Sequence, residues 1–140
     1  MITIASSRFH EIYDPVRRRL VAATPEELIR QKLLQRMLNE LGYPKGLIAV
    51  EMSLGKPKRR ADIVCYRCSQ ALTPLLIVEC KALKISLDAQ EQAFGYNAAL
   101  GAPFVCLAAG EEVVTLWFDG KKIARVPFLP RYRDLNESIS

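Results

Sequence analysis

The sequence predicts an α/β protein with a mixed central β-sheet flanked by helices. Three observations lead there. The run Leu75 to Val78 is unbroken and apolar, as a strand buried on both faces requires. A helical stretch and then a second apolar run, Phe104 to Ala108, follow it, so this passage reads as strand, helix and parallel strand. The strands ahead of it are joined by turns too short for a crossover, so there the chain meanders antiparallel. With 140 residues, half of them hydrophobic and a quarter charged, a single domain with its own core is the expected unit.

The elements follow in order. Residues 1–23 read as an irregular arm, 24–126 as the core and 127–140 as a polar, basic tail that is loose or laid across the surface. The first helix starts at Thr24, an N-cap, with Pro25 in the first helical position and Glu26 and Glu27 at the positive end of the dipole. Leu28, Leu34, Met37, Leu38 and Leu41 recur at helical spacing, and Gly42 ends the helix. Gly46 to Leu54 is the first core strand, ending in the turn Gly55-Lys56-Pro57-Lys58. Arg60 to Tyr66 is the second, followed by a turn over Arg67 to Thr73, and Leu75 to Lys81 is the third. Ser86 to Leu100 reads as a helix capped by Ser86 or Asp88, with Gly101 beyond its end. Phe104 to Ala108 and Val113 to Phe118 are strands, and Asp119-Gly120 turns the chain into a last strand, Lys122 to Val126.

Composition removes several function classes. The longest apolar run is far too short to span a bilayer, and the first residues lack a basic segment ahead of a long apolar stretch, so a cytoplasmic protein is expected. The four cysteines include one CxxC pair, Cys65 and Cys68. Cys80 and Cys106 lie in separate strands, and a structural zinc site usually needs a second close pair. His10 is the only histidine, which excludes chemistry resting on several. The net charge is +5 and the pI about 9.2, with basic clusters at Arg17-Arg18-Arg19 and at Lys56, Lys58, Arg59 and Arg60. Such clusters suit phosphate contacts, although a solvated basic loop looks the same in sequence.

The informative residues are charges set into apolar strands. Glu79 and Lys81, two apart, project to one side of their strand, while Cys80 points to the other. A carboxylate at the end of a doubly buried strand is costly unless it has a partner or a metal. Asp62, within Ala61-Asp62-Ile63-Val64, poses the same problem on the preceding strand. If the two strands are neighbours, the carboxylates approach one another, and a divalent cation resolves their repulsion. All-oxygen ligation favours Mg2+ or Mn2+ over zinc. Lys81 would hold or polarise a water for attack. The structural alternative is an ion pair of Lys81 with Asp62 or Glu79 and no metal.

Asp62, sixteen intervening residues and then Glu79-Cys80-Lys81 at the end of an apolar strand resembles the PD-(D/E)XK nuclease motif. The stretches Thr24-Pro25-Glu26-Glu27-Leu28-Ile29-Arg30-Gln31, Leu41-Gly42-Tyr43-Pro44, Arg59-Arg60-Ala61-Asp62-Ile63-Val64, Val78-Glu79-Cys80-Lys81-Ala82 and Gln92-Ala93-Phe94-Gly95-Tyr96-Asn97 extend the likeness. Together they are similar to the N-terminal nuclease domain of type I restriction enzyme R subunits and its small stand-alone relatives. The resemblance implies a restriction-endonuclease-like core and a Mg2+-dependent endonuclease, Mn2+ substituting, that cleaves DNA to leave a 5′-phosphate and a 3′-hydroxyl. It implies Asp62, Glu79 and the backbone carbonyl of Cys80 on the metal with Glu27 completing the site directly or through water, Lys81 at the attacking water, and Gln92 and Tyr96 as a QxxxY element supporting the site. The residue before Asp62 is Ala61 rather than the proline of the motif's name.

Each assignment has a plainer alternative. Glu27, three after Thr24, could be half of a capping box, and Glu26 is the neighbouring candidate for the helical acid. Gln92 and Tyr96, four apart on a helix, could be a packing pair. Arg30 and Gln31 could touch phosphate or merely solvate the helix, and stay outside the core assignment. Full R subunits carry a motor domain after this one, so targeting is expected from a partner protein, a homodimer or the shape of the DNA. The rival from another class is a non-catalytic module that binds nucleic acid or a partner on the same fold.

Overall fold

A computed structural model describes residues 4–6, 10–53, 60–68, 71–81, 84–98 and 100–139. The chain opens with three short strands, β1 (Ile4–Ser6), β2 (Glu11–Asp14) and β3 (Arg19–Ala22), which pair antiparallel in sequence order. Helix α1 (Pro25–Asn39) and a 3-10 turn (Lys45–Leu47) lead into β4 (Ile48–Ser53), β5 (Arg60–Cys68) and β6 (Leu72–Cys80). Helix α2 (Leu87–Ala98) carries the chain to β7 (Phe104–Ala109), β8 (Glu112–Phe118) and β9 (Ile123–Val126), and α3 (Tyr132–Ser138) comes last. Strands β4 to β9 form one six-stranded sheet in sequence order. Only β6 and β7 run parallel, across the α2 crossover, and the other neighbours are antiparallel. The mixed sheet flanked by helices is therefore as the sequence predicts.

The pleat sorts the core into two sides. Phe104, Cys106 and Ala108 of β7 pack with Leu33, Leu34 and Met37 of α1 and with Leu135 of α3. Val105 and Leu107, the alternate residues, pack with Ala93 and Phe94 of α2. Strand β6 is buried from Leu75 to Val78, as its apolar run requires. Local chemistry sets the boundaries. The Thr24 hydroxyl accepts the Glu27 amide (3.1 Å), and Gly42, at φ +73°, takes the left-handed turn beyond α1. The Ser86 hydroxyl accepts the Ala89 amide (3.1 Å), so Ser86 rather than Asp88 caps α2. Asp119 Oδ1 accepts the amides of Lys121 and Lys122, and Gly120 sits at φ +103° in the β8–β9 turn. No helix among the described residues is long and apolar enough to cross a membrane.

Four details differ from the sequence expectations. The expected irregular arm is a small sheet that buries Ile12, Asp14 and Val21. Its strands are too short for alternation to register. The tail beyond residue 126 forms α3 and enters the main core through Leu129 and Leu135. Tyr43 Oη donates to the Pro130 carbonyl (2.7 Å) and the Tyr132 amide to the Leu41 carbonyl (3.0 Å), fixing it there. Strand β4 starts at Ile48 rather than Gly46, because the 3-10 turn intervenes. Strand β6 starts at Leu72, ahead of the expected Leu75, and its register with β5 shifts near Pro74, which has no amide to give the ladder. The turn expected over residues 55–58 lies outside the described residues.

Candidate active site

Strands β5 and β6 bring the acids together. Ile63 faces Val78 across the antiparallel ladder, and the same register carried one residue further sets Asp62 beside Glu79. The Cys80 amide donates to Asp62 Oδ2 (2.7 Å), so Asp62 is tied to the backbone between Glu79 and Lys81. On β4, Val50 faces Ile63 and Met52 faces Ala61, which aligns Glu51 with Asp62, although the ladder leaves those two unpaired. Three carboxylate-bearing positions thus lie in a row across three adjacent strands.

Glu79 and Lys81 open on the α2 side. With Gln92 and Tyr96 and the small residues Ala89 and Ala93 they line an open cleft of about 310 Å3. Four of the residues singled out in the sequence therefore share one solvent-reachable hollow. Asp62 is not among the residues that line it; by strand register it lies beside Glu79, with its side chain 22% exposed. The Cys80 side chain is buried in the main core, and burial first, with the Asp62 charge second, pushes its thiol up. A protonated, buried thiol is no ligand, which leaves Cys80 its backbone amide and carbonyl at this site.

Glu27 lies elsewhere, buried at the start of α1 within a network of ion pairs. Its Oε1 accepts Arg30 Nη1 (2.8 Å), and its Oε2 accepts Arg17 Nη2 (2.8 Å) and Gln31 Nε2 (3.0 Å). The Thr24 hydroxyl serves the Glu27 amide as the cap, while the Glu27 carboxylate turns to these arginines. Arg30 Nη2 continues to Asp62 Oδ1 (2.7 Å), and Arg30 Nη1 and Arg17 Nη1 both reach Glu51 Oε1 (3.1 and 3.2 Å). Arg17 Nε and Gln31 Nε2 also bind Asp14 Oδ2. Burial disfavours the charge of both arginines, but their hydrogen bonds and the neighbouring carboxylates outweigh it and raise their pKa values. Burial would likewise raise the Asp14 carboxyl, yet the Arg17 amide, the Arg17 guanidinium, Gln31 and the Val16 amide together hold it below the usual range. Glu26 is exposed at the first turn and enters none of the ion pairs seen among the described residues.

The donor set can be tested against a divalent cation. Asp14, Glu27, Glu51 and Asp62 face two guanidiniums, leaving a formal excess of two negative charges in a largely buried cluster, all on oxygen. That excess and those atoms suit a hard divalent ion. Among the described residues no three His, Cys, Asp or Glu side chains converge as a ready cage. Mg2+, however, commonly takes one or two carboxylates and leaves its other positions to water and substrate phosphate. Asp62, Glu79 and the Cys80 carbonyl fit that mode. Glu27, 6% exposed and already accepting three bonds from Arg17, Arg30 and Gln31, does not fit as a direct ligand, whereas each Asp62 oxygen accepts one bond and keeps a lone pair.

Sequence reasoning missed Asp14, Arg17 and Glu51 and set Arg30 and Gln31 aside. Glu51 carried the same signal as Asp62, a charge inside the apolar strand Ile48-Ala49-Val50-Glu51-Met52. Asp14 hid in what reads as an irregular arm, and Arg17, read there as part of a basic cluster suited to phosphate, turns inward to Asp14, Glu27 and Glu51 instead.

The model of one protein family, described as the type I restriction enzyme R protein N terminus, matches residues 25–130. Among solved structures, a fragment of an HsdR subunit of a type I restriction enzyme from Vibrio vulnificus YJ016 superposes with a TM-score of 0.54 at 18% identity over 81% of this chain. At that identity the likeness is one of fold, and this chain spans 25% of the length of that one. No curated protein matches.

Proposed function

The chain belongs to the type I restriction enzyme R protein N-terminal family, and from that premise we propose that it is a metal-dependent endonuclease of the PD-(D/E)XK kind, acting on DNA in the cytoplasm, in restriction or DNA processing. One observation carries the reading: Glu79 and Lys81 share an open cleft with Gln92 and Tyr96, and Asp62 is hydrogen-bonded to the amide between Glu79 and Lys81. Acidic and basic side chains that share a solvent-reachable cleft are what a hydrolytic site needs and what a plain scaffold does not.

Asp62, Glu79 and the Cys80 carbonyl would hold Mg2+, or Mn2+ in its place. That ion supplies Lewis-acid polarisation of a phosphodiester and a bound water of lowered pKa. Lys81, on the cleft side of β6, hydrogen-bonds the attacking water and offsets the negative charge that develops on the phosphate. Gln92 and Tyr96, exposed on the facing helix, donate to the phosphodiester backbone and orient it over the acids. DNA and a partner subunit, or a second copy of the chain, are the partners this reading calls for.

The test is cleavage of plasmid and labelled oligonucleotides in Mg2+ or Mn2+, comparing wild type with Asp62→Asn and Lys81→Ala. Each substitution is expected to slow cleavage by about 100-fold or more. Lys81→Ala, at an exposed side chain, should leave the thermal midpoint close to wild type, whereas Asp62→Asn should lower it by leaving the Arg30 charge short of a partner. Wild-type rates in both variants would sink the assignment. Wild type that binds DNA without cutting it would favour a binding module instead.

A further inference from the structure

Arg30 stands between the helical acid and the cleft. We propose that Arg30 is a positioning residue of this site and that Glu27 acts through Arg30 rather than on the cation, an inference that rests on the nuclease reading above. Arg30 is 6% exposed, and its guanidinium spends both outer nitrogens on carboxylates. Nη1 binds Glu27 Oε1 and Glu51 Oε1, and Nη2 binds Asp62 Oδ1. Arg30 Nε is buried without a hydrogen-bond partner, so the pose is set by the acids and not by satisfaction of every donor.

The consequence for Asp62 is geometric. Its Oδ1 is held by Arg30 and its Oδ2 by the Cys80 amide, each at 2.7 Å. One bond on each oxygen restrains the rotation of the group and leaves each oxygen a lone pair for a further partner. A planar guanidinium transmits orientation in this way, whereas an ammonium on the same stem would not. Arg30 is fixed in turn by Glu27, whose other oxygen is locked by Arg17 and Gln31. Glu51 completes the brace from the opposite side. It sits at φ +55° in the middle of β4, a backbone conformation that is uncommon for glutamate, and its carboxylate meets both arginines. Arg17 comes from the β2–β3 turn, outside the family-matched residues, so the N-terminal hairpin contributes to the same brace.

Two measurements on the full chain test this: Mn2+ affinity of the DNA-free protein by titration, and steady-state cleavage. The variants are Arg30→Lys, which keeps the buried charge and so the fold, Glu27→Gln, the double variant and Asp62→Asn. Arg30→Lys and Glu27→Gln are each expected to lower kcat about tenfold or more with KM within about twofold, and the double variant to lose no more than about threefold beyond either single one. Mn2+ affinity is expected to fall about tenfold in Asp62→Asn and less than about threefold in Glu27→Gln. Losses that multiply in the double variant, or Mn2+ binding weakened as much by Glu27→Gln as by Asp62→Asn, would overturn the inference while the nuclease reading stands. Wild-type cleavage and Mn2+ affinity in Asp62→Asn would overturn that reading as well.

Discussion

Asp14 is fully buried, and its carboxylate accepts the amides of Val16 and Arg17, the Arg17 guanidinium and the Gln31 amide. Those bonds exist only in the folded chain, and they hold its carboxyl below the ordinary value despite the opposing effect of burial. The sign of the pH dependence follows. A depressed folded pKa stabilises the fold at every pH above the unfolded value of about 3.9, and that contribution is lost as pH falls toward the folded value. Asp14→Asn removes the titration, so wild type should lose thermal stability below about pH 4 more steeply than the variant, as melting curves at stepped pH would reveal. At neutral pH the variant should be the less stable, because the Arg17 charge is left short of a partner. Equal slopes in acid would mean that Asp14 is solvated in the native state. None of this was legible in the sequence, where residues 1–23 read as an irregular arm and nothing marks the aspartate as interior. Asp62, Glu79 and Lys81 were legible because each interrupts an apolar strand. Glu51 interrupts one too, but its left-handed backbone has no sequence marker, since glycine rather than glutamate is what signals φ above zero.

Helix α1 explains why elements were read better than their faces. Its start is written in Thr24-Pro25, where the structure puts it, while the helix ends at Asn39, short of the expected Leu41 and Gly42. Its buried face begins, however, with Glu27, Arg30 and Gln31 and turns apolar only at Leu33, Leu34 and Met37, while Leu28 is 45% exposed. Apolar periodicity marks the lower half of the face and misplaces the upper half, because ion pairs rather than hydrocarbon bury it. The hairpin β2–β3 escaped for a related reason: four-residue strands with one buried aliphatic each carry too little pattern. The Thr24 cap thus does two things at this scale, since it starts the helix and sets the turn from which Glu27 and Arg30 project. Thr24→Ala deprives the Glu27 amide of its acceptor and should cost about 1 kcal/mol in urea unfolding with an unchanged m value. A change below about 0.3 kcal/mol would mean that tertiary ion pairs alone hold this first turn.

At the scale of the whole molecule, the two ends close the domain. Strands β4 to β9 and both long helices fall within the matched 25–130, yet the hairpin ahead of them supplies Arg17 and Asp14 to the polar cluster, and α3 beyond them supplies core. The charge layout follows the same division. The molecule carries +5 overall while the acid cluster keeps an excess of negative charge, and among the described residues Arg18 and Arg19 are exposed beside the inward Arg17. The tail gives the sharpest test of how the fold is held. Leu129 and Leu135, 2% and 4% exposed, pack into the cluster that also holds Ile63, Val78 and Phe104, and the Tyr132 ring meets the Tyr43 ring edge-on at 5.7 Å. Burying the two leucines alone contributes roughly 4 kcal/mol, a large part of the ~5–15 kcal/mol typical of a domain. A chain ending at Val126 should therefore melt well below the full-length protein, or lose its cooperative transition, and should bind a hydrophobic dye that wild type does not. Because α3 packs on the α1 side of the sheet and the cleft opens on the α2 side, any fraction that stays folded should keep the Mn2+ affinity of the full chain. A truncated protein that melts like wild type would mean that the tail rests on the surface after all.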